Sequence, residues 1–413
     1  MFIDQDIPAS RRKLGWYEVQ GKMYSNKYHA LENCPAEQWP HWNFHDDAYS
    51  KETWSQEPTE DLYELYRQRA MQLRLQYQNV LLYYSGGIDS HAILNVFVEN
   101  NIPLDGIIVC GSFSLDQDIS QGCNQEQMLV AKPYIEHLVK QGKLKCPVHY
   151  LDTVKFHKNF EDENWVYTCG QSLTPQVYSY NFFWQDPWIQ QYLCKGTTCF
   201  IRGVDKPRVI LQDNKWYVSF LDAYIMSGTP TGMLNKKQDW DIQEYFYWTP
   251  DFTKIVNKQA HVMIDWFENN LSHDECQLLT TKDATFNRGV YNKYADALIY
   301  GRYVNQKPGD DKPYFSLGKP FSSNVWHKDF WFFKSKDVLD REYKIWSAGL
   351  QMISKQIPSD RFNKPTLLEK NELEKFLLKY QLGQEFLDFN HAMFGTVGLW
   401  SKFHLIKEAK FKV

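Results

Sequence analysis

The stretch that most constrains this chain is Asn79 to Asn100, NVLLYYSGGIDSHAILNVFVEN. Val80, Leu81, Leu82, Tyr83 and Tyr84 form a short apolar run with aromatic and β-branched content, which predicts a buried strand. Ser85, Gly86, Gly87 and Ile88 interrupt it. Asp89 and Ser90 are helix-start residues, and Ala92, Ile93, Leu94, Val96 and Phe97 supply an apolar face at helical spacing. A strand–glycine loop–helix unit suits an oxyanion. Two glycines let backbone N–H groups approach a ligand with no Cβ in the way, and the helix points its positive end at the same spot. Ser85 and Ser90 add hydroxyls. Asp89 repels phosphate by itself, but it suits a site in which it holds Mg²⁺.

Ser85-Gly86-Gly87-Ile88-Asp89-Ser90 resembles the SGGxDS loop of the PP-loop (N-type) ATP pyrophosphatases, the superfamily of asparagine synthetase, GMP synthetase, NAD synthetase, argininosuccinate synthetase and several tRNA-modifying enzymes. A chance match to five fixed residue types in a chain this long is roughly one in a few thousand. The rival phosphate loops GxxxxGK[ST] and GxGxxG do not occur. The resemblance implies an adenine nucleotide alpha hydrolase-like, Rossmann-type fold. It also implies cleavage of ATP between its α- and β-phosphates, with ATP and Mg²⁺ bound and Asp89 as the metal ligand. Ser85, Gly86, Gly87, Ile88, Asp89 and Ser90 would hold the phosphates. The closest likeness is to the synthetase domain of asparagine synthetase, and it covers about 75 to 210. The glutamine-using members of that family carry a catalytic Cys directly after the initiator Met. Position 2 here is Phe2, so no glutaminase domain of that kind is expected, and nitrogen would come from ammonia, the substrate or another protein.

Around this unit the chain alternates strand and helix. Residues 16–24 predict a hairpin turning at Gly21-Lys22, and Glu60 to Gln78 predict a helix capped by Thr59. After the motif helix, Asp105 to Cys110 is a second buried strand. By resemblance, Cys110, Gly111 and Ser112 at its end lie on the nucleotide side. A helix over about 124–141, kinked at Pro133, leads to a third strand at Pro147–Asp152. Residues 153–195 read as mostly helical. Thr198–Ile201 is a fourth strand, followed by the loop Arg202-Gly203-Val204-Asp205-Lys206-Pro207-Arg208. Such alternation predicts a doubly wound parallel α/β sheet with ligands at the carboxyl ends of its strands. Asparagine synthetases carry a second acidic loop, GEGADE, at about this point. Gly203 and Asp205 match it, whereas Lys206 and Arg208 depart from it, and both can grip phosphates or a substrate carboxylate. Asp89, Asp205 and Lys206 are therefore the expected catalytic residues, with Gly203 and Arg208 on the nucleotide side. Residues 209–223 predict a hairpin around Asp213-Asn214. The organisation expected is an N-terminal extension over 1–75, the nucleotide domain over 76–224, and a mainly α-helical region over 225–413 covering the site. That last region includes an aromatic patch at 245–252, helices at 254–270, 291–300, 335–356 and 366–382, and a loop from about 307 to 320.

Composition narrows the function classes. Hydrophobic content of 43% with 23% charged residues fits a globular protein. Net charge is −4, so nothing in the charge indicates nucleic acid, and no apolar run approaches a membrane span. A cytoplasmic setting follows from the lack of a signal-peptide core in the N-terminal sequence. None of the eight cysteines forms a CxxC pair, which argues against zinc ribbons and iron–sulfur sites. Cys169 and Cys199 are candidate sulfur carriers, His41 and His45 a candidate metal pair, and His91 a candidate general base. The expected function is an ATP-dependent adenylating ligase of asparagine-synthetase-like type. It would activate a carboxylate or related carbonyl of an unidentified small-molecule or nucleobase acceptor, with a separate nitrogen donor as a further partner. The alternatives are a PP-loop enzyme that modifies tRNA or DNA bases and a non-catalytic ATP-binding interaction protein.

Overall fold

The computed structural model describes residues 14–114, 124, 126–167, 178–203, 206–222, 241–277, 279, 294–304, 307–308, 338–356 and 399–410. In chain order the strands and longer helices are β1 (Trp16–Val19), β2 (Lys22–Tyr24), β3 (His41–Asn43), α1 (Leu62–Gln76), β4 (Asn79–Tyr83), α2 (Ile88–Glu99), β5 (Gly106–Gly111), α3 (Lys132–Lys140), β6 (Val148–Asp152), α4 (Pro187–Leu193), β7 (Thr198–Arg202), β8 (Arg208–Gln212), β9 (Lys215–Ser219), β10 (Asp241–Tyr245), α5 (Lys254–Asn270), α6 (Asp296–Val304), α7 (Asp340–Gln356) and β11 (His404–Glu408).

A five-stranded parallel sheet in the order β10-β7-β4-β5-β6 organises the molecule. Side chains alternate across it because successive strand residues face opposite ways. Val80, Leu82, Ile107, Val109, Cys199 and Ile201 enter one core, which they share with α1, α2 and α5. Leu81, Ile108, Cys110, Leu151 and Phe200 enter a second core with Phe156, Phe183 and the α4 residues Ile189 and Leu193. Both faces are thus covered, as a parallel sheet requires. An α/β fold of Rossmann-like kind is what the alternation of strand and helix predicts.

Two small antiparallel sheets flank it. β1 pairs with β2 across a turn at Gln20-Gly21 and with β3 on its other side. β8 and β9 form the expected hairpin, with Asp213 and Asn214 at φ 48° and 57°, the left-handed pair of a type I′ turn. β11 adds to its edge. No helix of the described residues is long and apolar enough to cross a membrane.

Several local expectations are corrected. The cap of α1 is Asp61, whose carboxylate accepts the Glu64 amide at 2.7 Å; it stands nearer the apolar run than Thr59 and caps as well. Pro133 lies at the start of α3, where its missing N–H costs nothing, and a π-helical turn, Gln127–Ala131, precedes it. His41 stands in a short strand. Where described, residues 153–195 are mostly helical as expected, but largely as short 3₁₀ helices, with α4 the longer α-helical piece. The helix expected over 291–300 is α6, broken at Gly301, and that over 335–356 begins at Asp340. Ahead of both, β10 is a strand where a mainly helical region was expected. The aromatic patch that follows it is core: Tyr245, Phe246, Tyr247 and Trp248 are all fully buried. The helix expected over 366–382 and most of the loop over 307–320 lie outside the described residues.

Candidate active site

The strand order sets the place. β4 comes first in the parallel sheet and β7 fourth, yet they are neighbours, so the chain order reverses between them. The carboxyl ends of strands at such a reversal open a crevice. The loop after β4 is Ser85 to Gly87, and the loop after β7 begins at Gly203.

The glycine loop is held from within and from behind. Gly86 has φ +85°, a left-handed conformation that favours glycine. A Cβ there would meet the Ala131 amide nitrogen and the Glu126 carbonyl oxygen at 3.1 Å each, so the π-helical turn backs directly on the loop. Gly87 is the extended residue before α2 and offers no side-chain cap. The serines knit the turn together. Ser85 Oγ accepts the Gly87 amide at 3.1 Å and lies 3.2 Å from Ser90 Oγ, which donates to the Gly87 carbonyl at 3.1 Å. By the geometry of any helix start, the amides of Ile88, Asp89 and Ser90 have no carbonyl of their own helix to bond. Gly203 presses on this first turn: a Cβ there would come within 2.8 Å of the Ser90 amide nitrogen.

Side chains from three segments meet over it. Lys206 Nζ lies 2.9 Å from Asp89 Oδ1 and 3.0 Å from Asp296 Oδ1, and 5.6 Å from the centre of the Tyr300 ring. Tyr300 donates its hydroxyl to Asp89 Oδ1 at 2.6 Å, and Tyr247 donates to the Asp89 carbonyl at 2.9 Å. Burial, and then the charge of Asp89, pushes the Tyr300 hydroxyl well above the usual phenol range, so it remains a donor at neutral pH. Lys206 and Asp296 are nearly buried, whereas the Asp89 side chain keeps 24% of its exposure. Asp89 is the member of the group open to a ligand.

The other expected site residues are placed as follows. Cys110, Gly111 and Ser112 end β5 and are buried. Asn124 Oδ1 accepts the Ser112 amide at 2.8 Å, and the Thr153 hydroxyl donates to the Gly111 carbonyl at 3.3 Å. Ile88 is half-buried against the core. Arg208 opens β8 opposite Ser219 with its side chain buried. Asp205 and Cys169 lie outside the described residues. Cys199 is buried in mid-strand and fully enclosed, which removes it as a sulfur carrier. His91 is no solvent-facing helix residue. Its ring is buried, hydrogen-bonded to the Tyr84 hydroxyl at 3.0 Å and packed on Tyr134, and burial pushes its pKa down to about 3. Such a group is a poor general base. His41 pairs with Asp46 at 2.8 Å, and His45 packs its ring against Trp16 and Phe44.

Asp296 and Tyr300 are site residues that sequence reasoning did not single out, and Tyr247 stands out in the sequence only as part of the aromatic patch at 245–252. No local motif marks them, because their partners Lys206 and Asp89 lie 90 or more positions away in the chain. Among the described residues no group of three or more His, Cys, Asp or Glu could hold a metal by itself. Mg²⁺ bound with a nucleotide needs only one or two carboxylates, completed by phosphate oxygens and water. The hard oxygens of Asp89 and Asp296 are donors of that kind, so the residues present fit the ion. No protein-family model matches this chain, and no curated protein matches it.

Proposed function

We propose that this protein is an ATP-dependent adenylating enzyme of the PP-loop type, forming AMP and pyrophosphate as it activates a carboxylate or related carbonyl for attack by nitrogen. The observation that carries the reading is the meeting of two loops at the reversal of strand order: a left-handed glycine turn opening α2, and Lys206 from the loop after β7 on its Asp89. On this reading the sheet is doubly wound and the protein is cytoplasmic, in keeping with the free cysteines among its described residues.

The chain's own residues supply positioning and charge. The first-turn amides of α2 and the glycine loop receive the β- and γ-phosphates, which become the leaving pyrophosphate. Lys206 neutralises charge that builds on the oxygen between the α- and β-phosphorus as that bond breaks. Asp89, with Asp296 beside it, would hold Mg²⁺. When bound, the ion supplies Lewis-acid stabilisation of the phosphoryl oxygens. Tyr300 and Tyr247 fix Asp89 from its carboxylate and its backbone carbonyl, so it need not reorganise during the reaction. The acceptor's oxygen then attacks the α-phosphorus in line with the departing pyrophosphate.

Asp89→Ala and Ser85→Ala test the assignment through pyrophosphate release in the presence of a cell's small-molecule pool. Each is expected to lose on the order of 10²–10³ in rate with its unfolding transition retained. Full turnover by both variants would refute the site.

A further inference from the structure

α6 carries Tyr300 to Asp89, and it is broken one residue later. Gly301 has φ +31° and ψ −104°, far from helical values and in a region that favours glycine. Two tyrosines of α1, Tyr63 and Tyr66, stand at the break. They are three residues apart and so share one face of that helix. The Tyr66 hydroxyl donates to the Ile299 carbonyl at 2.9 Å, and the Tyr63 hydroxyl accepts the Arg302 amide at 2.9 Å. The Arg302 guanidinium lies over the Tyr63 ring, 4.6 Å from its centre, and a Cβ on Gly301 would run into the Tyr63 hydroxyl.

Neighbouring groups fix the direction of the first bond. Tyr66 is fully buried, and its oxygen also accepts from the Gln259 side-chain amide at 2.9 Å. An amide N–H only donates and a carbonyl only accepts, so the one phenol proton goes to Ile299. Burial holds that hydroxyl well above the usual phenol range, and it keeps its proton at neutral pH. A peptide unit is planar, so the Ile299 carbonyl and the Tyr300 amide turn as one body. The Arg302 amide belongs in the same way to the unit that leaves Gly301. The two tyrosines therefore hold the peptide unit entering Tyr300 and the one leaving Gly301.

What this controls is the aim of one side chain. Tyr300 is fully buried, and its hydroxyl reaches Asp89 Oδ1 at 2.6 Å. The Tyr66 ring meets that of Tyr247 edge-on at 5.5 Å, and Tyr247 packs on Tyr300 at 5.1 Å. A hydrogen bond weakens steeply as its angle closes from linear, so a turn of the Ile299–Tyr300 unit takes the phenol off the carboxylate. We infer that Tyr63 and Tyr66 are positioning residues of this site: by holding the break in α6 at Gly301, they aim the Tyr300 hydroxyl at Asp89. The inference rests on the proposed nucleotide reading and adds to it two residues that act through Tyr300.

The test is equilibrium binding of α,β-methylene-ATP, which cannot be split between those phosphates, to the full chain in Mg²⁺. The proteins compared are wild type, Tyr66→Phe, Tyr300→Phe and the double variant. Tyr300→Phe is expected to weaken binding by about tenfold or more, the worth of a hydrogen bond to a charged group. Tyr66→Phe keeps the ring, loses the hydroxyl and is expected to weaken binding several-fold. The double variant is expected to bind as Tyr300→Phe does, within about twofold, because Tyr66 then has no hydroxyl left to aim. A merely structural role for Tyr66 would multiply the two losses. Tyr63→Phe, at the more exposed bond, runs the same cycle if Tyr66→Phe does not fold. Multiplied losses, or wild-type affinity in Tyr66→Phe or Tyr300→Phe, would overturn the positioning role while leaving the nucleotide site standing. Wild-type protein that does not bind the analogue would overturn the nucleotide reading, and this inference with it.

Discussion

At the scale of single residues, the site depends on one close approach. Gly203 brings the end of β7 against the first turn of α2, and a methyl group there would sit 2.8 Å from the Ser90 amide nitrogen and 3.1 Å from the Asp89 carbonyl carbon. Both are backbone atoms of a packed helix, so neither can turn aside. Gly203→Ala is expected to cost about 1–3 kcal/mol of stability by overpacking and to weaken binding of α,β-methylene-ATP at least several-fold. Urea unfolding and equilibrium dialysis check the two effects, and an alanine variant with unchanged nucleotide binding would separate Gly203 from the site. At this scale the sequence was informative where chemistry is local. Ser85, Gly86, Gly87, Asp89 and Ser90 are adjacent, and their roles follow from what a strand–turn–helix needs. Lys206 could be picked out because it follows a strand end. Asp296 and Tyr300 could not, since a lone Asp and Tyr in an amphipathic stretch look like any other helix residues until the fold brings them to Asp89.

At the scale of elements, buried polar contacts tie the additions to the sheet. Lys27 pairs with Asp222 at 2.8 Å with both side chains buried, and Asp222 also accepts from the Tyr17 hydroxyl and the Leu399 amide. This one carboxylate links β1, the short helix after β2, the end of the β8–β9 hairpin and the approach to β11. Burial pushes the Lys27 pKa down, and Asp222 offsets part of that. Asp222→Ala would leave an ammonium buried without its partner, at a cost of about 3–5 kcal/mol. Replacing both partners with apolar residues of similar size should cost less than that single change. A double variant as unstable as Asp222→Ala, measured by chemical denaturation, would contradict this account. Similar contacts explain why β10 was hard to read. Its Gln243 and Glu244 look like surface residues, but Gln243 accepts from Arg202 at 2.6 Å. Glu244 takes hydrogen bonds from Arg69 at 2.8 Å and from the Tyr77 hydroxyl at 2.5 Å. A buried strand that fills its inward positions with paired polar groups lacks the apolar pattern by which β4, β5 and β7 announce themselves. The β8–β9 hairpin was legible for the opposite reason, since Asp213-Asn214 accommodates the left-handed turn the strands demand.

At the scale of the whole molecule, stability and activity should respond to different variables. His91, His157 and His404 are buried, and burial lowers their pKa values from 6.5 to about 3, about 3 and about 4. The unfolded chain takes up protons on these groups below pH 6.5, while the folded protein does so only near pH 3 to 4. Stability is therefore fully present above pH 6.5 and is lost as pH falls through that window, at up to about 1.4 kcal/mol per pH unit for each histidine. Urea midpoints that stay level from pH 7.5 to pH 5 would contradict the burial of these rings. On the proposed reading, activity turns on the crevice between β4 and β7. The parallel core around it was readable because alternation of strands and helices dictates it. The partnership of α6 with the glycine loop was not, because it depends on how distant segments pack. The most direct test of the central claim is to incubate the protein with α-labelled ATP, Mg²⁺ and a cell's small-molecule pool, with and without nucleic acid, and identify the labelled product. The account predicts AMP, released with pyrophosphate and stimulated by the fraction that contains the acceptor. Labelled ADP, or bound ATP that never turns over in any fraction, would contradict it.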